Sequence, residues 1–263
     1  MEVNALNNID IVKSMIPVNI YSNCCMDGLV ISFRDVLCKG NKYISNMYNA
    51  WNFVLNHIND DFNLDFIKEI NRICENDISC NCGCIRDRCI SISGTSWSPE
   101  IPVVEDIKSN IKSIMGKDDC ISKAIEMFCY LTRSQLFIDG NKHVALLVAN
   151  AILIQGNVGM FTIPDRYLSE FKMLLVAFYE NGDSSKLCKF LYEYCIISFK
   201  DGNTKIREDF DCYARIYNLN GMYYPCKYIR SISKEELIRG YRKGSIVELD
   251  KEYWVNDNDI VMY

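Results

Sequence analysis

A chain of 263 residues, 49% apolar and 24% charged, can bury a sizeable core and suits one large or two unequal globular domains. A formal charge of −5 implies no domain-wide basic face, which argues against non-specific nucleic-acid binding. No apolar run reaches the roughly 20 residues a membrane-crossing helix needs, and the polar start Met1-Glu2-Val3-Asn4 is not expected to act as a secretion signal. The 14 cysteines are therefore read as mostly reduced thiols of a cytoplasmic protein, several of them serving as small apolar residues.

Residues 1–40 are predicted to form a short helix, a turn broken at Gly28 and a second helix. Over residues 43–59, Ile44, Met47, Trp51, Val54 and Ile58 recur at helical spacing. His57 lies beside that stripe and is expected to be a satisfied surface or core histidine. Residues 62–76 predict another helix around Leu64, Ile67, Ile70 and Ile73. The pattern then changes. Residues 80–97 alternate with period two around Ile90 and Ile92, between Gly83 and Gly94, which predicts a β-hairpin. The cluster Cys80, Cys82, Cys84 and Cys89 lacks the paired C-x₂-C spacing of common zinc sites, and is read as free thiols with zinc as the alternative. Pro99 and Pro102 stop the strand pattern, and helices follow over residues 103–116 and 119–133.

The most apolar stretch, residues 144–154, is rich in Ala and Leu and apolar on nearly every side, as a buried central helix is. Asp139, Gly140 and Asn141 just before it are loop and N-cap chemistry. The first amides of such a helix have no partner within it, and with the helix dipole they favour an anion. Gly140 permits close approach, Lys142 adds a cation, and Asp139 is a candidate ligand for a divalent metal. The plainer alternative is a capped core helix with a solvated turn.

Downstream, residues 156–164 read as a turn and Ile163-Pro164-Asp165 as a break, with Asp165 as a possible cap. Helices follow around Phe171, Leu175 and Phe178, and around Leu187, Leu191, Tyr194 and Ile197. The polar run at 200–205 marks a domain boundary. Beyond it, residues 213–217 and 222–229 read as strands about Asn220-Gly221, Ser233 to Glu236 as a capping box for a short helix, and residues 246–249 and 259–262 as further strands.

The segment from residue 135 to residue 146 resembles the signature of the Fic/Doc (Fido) family, His-x-Phe-x-(Asp/Glu)-(Gly/Ala)-Asn-(Gly/Lys)-Arg-x-x-Arg. Phe137, Asp139, Gly140, Asn141 and Lys142 match in register. The departures are Gln135 at the family's His, His143 at its first Arg and Leu146 at its second. The resemblance, which stops near residue 200, implies a mainly α fold over residues 1–200: a Fic-type helical bundle around a central buried helix with a β-hairpin flap. The pattern of residues 201–263 reads as a small mixed α/β domain. The resemblance implies a flap that docks a target segment by strand pairing, for which Gly83, Ile85 and Arg86 are the candidate residues. It also implies a nucleotide site at Gly140, Asn141, Lys142 and His143, with Mg²⁺ on Asp139. Asn23-Cys24-Cys25-Met26-Asp27-Gly28 occupies the place of the family's inhibitory (Ser/Thr)-x-x-x-Glu-(Gly/Asn) segment, but Asp27 replaces its Glu and Leu146 the Arg that Glu would meet.

The first functional reading is a nucleotidyltransferase that uses ATP and Mg²⁺ to AMPylate a protein hydroxyl, or to move a related phosphate-linked group. Gln135, Asp139 and Lys142 stand at its catalytic positions. A neutral amide at residue 135 cannot act as a general base, a loss that commonly costs 10²–10⁴-fold. The second reading is a non-catalytic module of the same fold that binds a nucleotide or a protein partner. The third is a Doc-like kinase, suggested by Lys142. The expected partners are a protein substrate or protein partner and a nucleotide, neither nucleic acid nor membrane, and a homo-oligomer is admitted.

Overall fold

The computed structural model describes residues 3–29, 31, 33–164 and 167–199, together with short strand segments beyond residue 213. It is mainly helical, and it forms two compact units. One comprises Lys42–Thr162 and Ser169–Thr204; the other comprises Met1–Asn41, Ile163–Leu168 and Lys205–Tyr263. The division expected near residue 200 assigns the first 41 residues to the helical domain, whereas in the structure they group with the tail.

The larger unit is a helical bundle. Its helices are α3 (Lys42–Asn56), α4 (Leu64–Cys74), α5 (Val104–Met115), α6 (Cys120–Ser134), α7 (Asn141–Gln155), α8 (Leu168–Asn181) and α9 (Ser185–Tyr194). (The numbering leaves α1 and α2 for the N-terminal helices.) Asn63 starts α4 by accepting hydrogen bonds from the amides of Asp65 and Phe66 at 3.0 and 3.1 Å, and Asp119 starts α6 by accepting from Ser122 at 2.7 Å. Helix α7 is the axis. Every residue from Asn141 to Ile154 except Lys142 is buried, and α6, α4 and α3 pack around it. A helix that is apolar all round can be placed only at the centre.

One buried polar residue of α7 is fully used. Asn150 donates to the carbonyls of Leu146 and Phe161 at 2.9 and 2.8 Å and accepts from the Phe161 amide at 2.9 Å. It thereby fastens strand β1 (Gly159–Phe161), which pairs antiparallel with β2 (Ile196–Ser198), Met160 facing Ile197. These strands correct two expectations. Residues 156–164 are more than a turn, and Ile197 lies in β2, not in the last helix. Both segments are partly buried, so their backbone groups need partners, and pairing supplies them. A Cβ on Gly159 would overlap the Ile197 carbonyl, so only glycine admits this approach.

The hairpin expected over residues 80–97 is absent. Residues 75–103 form a loop with no strand. Two of its amides are satisfied from outside the segment: Gly83 donates to Asn71 Oδ1 at 2.8 Å, and Arg86 donates to the Leu136 carbonyl at 2.9 Å. Side-chain partners compete here with a ladder. Gly83 and Gly94 take left-handed conformations at φ 75° and 87°, which a strand does not use.

In the smaller unit, α1 (Val3–Met26) runs 24 residues, longer than the short helix expected, with Pro17 inside it. Gly28 ends it at φ 79°, its amide bonded to the Cys25 carbonyl and that of Leu29 to Cys24. Helix α2 (Phe33–Leu37) follows, and Phe33 meets Tyr21 of α1 edge-on at 5.8 Å. The Ser22 hydroxyl donates to the Ile163 carbonyl. Strands β3 (Ala214–Tyr217), β4 (Tyr223–Tyr224) and β7 (Ile260–Met262) form an antiparallel sheet in the order β4-β3-β7. The β3–β4 pair flanks Asn220-Gly221 as expected, with Tyr217 opposite Tyr223. Strands β5 (Val247–Glu248) and β6 (Glu252–Tyr253) make a second pair. The Asp165 cap and the short helix from Ser233 lie outside the described residues. Among the described residues no helix is long and apolar enough to cross a membrane.

Candidate functional site

The loop between α6 and α7 carries the polar motif, and its shape is set by two amide side chains. Gln135 caps α6 in a left-handed conformation, φ 47° and ψ 61°, uncommon for a residue with a Cβ. Its side chain compensates locally. Nε2 donates to the Thr132 carbonyl at 2.6 Å, and Oε1 accepts from Asn141 Nδ2 at 3.1 Å. Asn141 closes the loop further: Oδ1 accepts from the Phe137 amide and Nδ2 donates to the Phe137 carbonyl, both at 2.9 Å. Gln135, Phe137 and Asn141 are all buried.

Gly140 precedes α7 at φ 76°, where a left-handed residue is required. Its amide donates to Asp139 Oδ1 at 2.8 Å. The first bond of the α7 ladder runs from the Val144 amide to the Gly140 carbonyl, so the amides of Asn141, Lys142 and His143 precede it. The Asp139 side chain is exposed and Lys142 half-buried.

Four residues not singled out from the sequence hold this loop. Asn71 of α4 donates Nδ2 to the Asp139 carbonyl at 2.9 Å while its Oδ1 accepts from Gly83, joining the motif loop to the 75–103 loop. Glu75, next after α4, is 3% exposed and packs against Gly140; its Oε1 lies 3.5 Å from His143 Nδ1. Tyr43 of α3 holds the other side of that imidazole, its hydroxyl 2.6 Å from Nε2. Thr132 receives the Gln135 amide. A signal for two of them was present: Asn71 and Glu75 fall in register with Ile67 and Cys74, polar residues inside an apolar stripe.

His143 is therefore buried in a Tyr43–Glu75 cluster rather than standing beside the exposed Asp139. Arg86 also faces inward. Its guanidinium donates to the carbonyls of Gln135 at 2.5 Å and Arg88 at 2.8 Å and also to that of Glu100, and burial pushes its pKa below the ordinary value. Gly83 and Ile85 are half-buried. The motif residues 135 to 143 and residues 83 and 86 are thus brought together, through Asn71 and Arg86. Cys80, Cys84 and Cys89 are exposed and Cys82 half-buried; among the described residues no three His, Cys, Asp or Glu side chains gather as a metal set. His57 donates from Nδ1 to the Phe53 carbonyl, 2.9 Å away, and packs its ring on that of Phe53 in a tilted arrangement. A 530 Å³ cavity lined by Phe53, Asp60, Asp61 and Glu69 is likewise separate from it. Asp27 belongs to the smaller unit and Leu146, fully buried, to the larger.

The model of the Fic/DOC family matches residues 61–153, which span α4 to α7. Fic-1 from C. elegans superposes with a TM-score of 0.55 at 21% identity, over 66% of this chain and 58% of that one. A Fic domain containing signaling protein from Bacteroides thetaiotaomicron superposes with a TM-score of 0.53 at 19% identity, over 66% of this chain and 74% of that one. At these identities the likeness is one of fold, and this chain spans little more than half the length of the C. elegans structure. No curated protein matches the sequence. Residues 61–153, which contain the loop and most of the buried helix α7, are thus the part of the chain that matches the Fic/DOC family model.

Proposed function

We propose that this protein is a Fic-type transferase that takes the phosphates of ATP at the start of α7 and passes AMP, or a related phosphate-linked group, to a protein hydroxyl. The observation that carries the reading is the entry to α7: a left-handed Gly140, three amides ahead of the helical ladder, and an exposed Asp139 beside them. Asn141, Lys142 and the backbone of His143 complete the nucleotide site in this reading. The donor set also bears on the metal. Asp139 is a single carboxylate with one oxygen engaged by Gly140. Mg²⁺ keeps most of its waters and takes its remaining ligands from phosphate, so this set suits a Mg²⁺–nucleotide complex and not a free ion. When bound, that ion would neutralise developing phosphate charge.

Catalysis in this reading is slow. The Gln135 side chain has no proton-accepting nitrogen and both its ends are engaged within the loop, so it positions the loop and takes no proton. Orientation and charge stabilisation supply much of phosphoryl-transfer catalysis, which leaves room for residual turnover.

A second reading, a non-catalytic nucleotide- or partner-binding module, is favoured by one observation: the Glu75 carboxyl lies against Gly140, where an ionised carboxylate opposes an incoming phosphate. Titration of ATP with Mg²⁺ by calorimetry decides first. Heat of binding supports a nucleotide site; none at millimolar ligand leaves only the partner-binding reading. Incubation with α-labelled and γ-labelled ATP and a lysate then separates AMP transfer from phosphate transfer. Label on protein that survives in Asp139→Ala refutes the metal assignment.

A further inference from the structure

Away from the α6–α7 loop, the bundle holds a second chemically distinct pair. Cys129 lies on the inner face of α6 and Cys188 in the first turns of α9, two helices that pack together. Their sulfurs are 3.8 Å apart, with Cys129 buried and Cys188 half-buried. The two thiols differ in environment. The two sulfurs share a hydrogen-bonding contact, and that contact, with help from Ser184, pulls the Cys188 thiol down to about 6. The opening of α9 adds in the same direction, because unsatisfied helix amides favour a thiolate. The same pairing and the burial of Cys129 push its own thiol well above the ordinary value. Glu126 and Asp183 lie close enough to oppose the Cys188 charge, but the hydrogen bonds outweigh them.

We propose that Cys129 and Cys188 form a redox-sensitive pair, in which Cys188 meets a peroxide and Cys129 resolves it as a disulfide between α6 and α9. The Cys188 thiolate attacks the peroxide O–O bond, takes one oxygen as sulfenic acid and releases hydroxide. Cys129 then attacks the Cys188 sulfur, the S–S bond forms, and the sulfenic oxygen leaves as water. Each sulfur loses one electron, the two peroxide oxygens are reduced, and two waters result overall. The sulfurs need to close from 3.8 Å to about 2.05 Å, a small side-chain movement because the pair is already in van der Waals contact. Neither reaction step requires the buried member to reach solvent, since Cys188 supplies the access. The bond would tie α6, the helix capped by Gln135, to α9, and a thiol reductant would release it by exchange.

The test is peptide mapping of the full chain after hydrogen peroxide, with dimedone present to trap sulfenic acid. The exposed Cys38, Cys80, Cys84 and Cys89 serve as internal comparison. The expected result is a reducible Cys129–Cys188 peptide formed in preference to links from either residue to another thiol. Cys129→Ser should convert that link into a dimedone adduct on Cys188, and Cys188→Ser should leave Cys129 unmodified. Circular dichroism of both serine variants confirms that each is folded. A dimedone adduct that persists on Cys188 in the unaltered chain with no link to Cys129 overturns the proposal, and so does a Cys188 that reacts no faster than the exposed thiols.

Discussion

Gly140→Ala is the substitution with the most specific expected energetics. Two separate costs arise from one methyl group. The first is backbone strain: at φ 76°, alanine adopts a left-handed conformation costing about 1–2 kcal/mol. The second is overlap. The new Cβ would collide with Glu75 Oε1, lie 2.9 Å from its Cδ and 3.0 Å from Asn71 Nδ2. Glu75 is buried beside His143 and Asn71 bridges two loops, so neither yields freely; overpacking of this kind costs about 1–3 kcal/mol. The sum is about 2–5 kcal/mol. Glu75→Ala removes the overlap with Glu75 while leaving the strain and the closer approach to Asn71. Urea unfolding of the two single variants and the double variant, followed by circular dichroism, should show the double variant about 1–2 kcal/mol less destabilised than the sum of the singles. Additive singles, or a loss below about 0.5 kcal/mol for Gly140→Ala, would refute the placement of Glu75 against the start of α7.

Asn150→Leu should cost about 2–4 kcal/mol, because it strands the amide and carbonyl of Phe161 in the core; chemical denaturation measures it. Arg86→Lys should speed proteolysis in the 75–103 loop, since one ammonium cannot reach carbonyls fanned over Gln135, Arg88 and Glu100; peptide mapping of limited digests locates the cuts. Asp119→Ala should cost about 0.5–1 kcal/mol at neutral pH by removing the cap of α6. Hydrogen bonds from Ser122 hold the Asp119 carboxyl below its ordinary value, so its contribution is complete above about pH 4 and disappears as pH falls through the folded value. The two proteins should therefore converge in strong acid. If ATP binds at the start of α7, Glu75→Gln should tighten it by about tenfold at most, because the change removes one like charge near the phosphates; calorimetry reads the difference.

Periodicity made most of the helical unit legible. Helices α3 to α9 each present a stripe at helical spacing, and α7 announces itself by having apolar residues on all sides. Segments whose partners lie far along the chain were not legible. Strand β1 is three residues whose ladder partner is 37 positions on, Met160 to Ile197. The alternation around Ile90 and Ile92 looked like a strand, but alternation describes a side-chain pattern and not the fate of backbone amides. Asn71 and the Leu136 carbonyl take the amides of Gly83 and Arg86, at the start of that stretch.

The candidate site shows the same limit more sharply. A motif names the residues that line a loop. It is silent on what packs behind the loop. His143 reads in sequence as a cation beside the phosphate amides, yet Tyr43, about a hundred positions earlier, and Glu75 turn its ring into the bundle. Arg86 reads as the start of a docking strand, yet it donates to the carbonyl of Gln135. In both cases a polar side chain found partners inside the bundle. Burial of a charge is tolerated only when such partners exist, and partners are a property of the fold. Glu75 is the strongest instance. Its carboxyl lies 3.5 Å from His143 Nδ1 and against Gly140, a placement that three positions so far apart in the sequence do not announce.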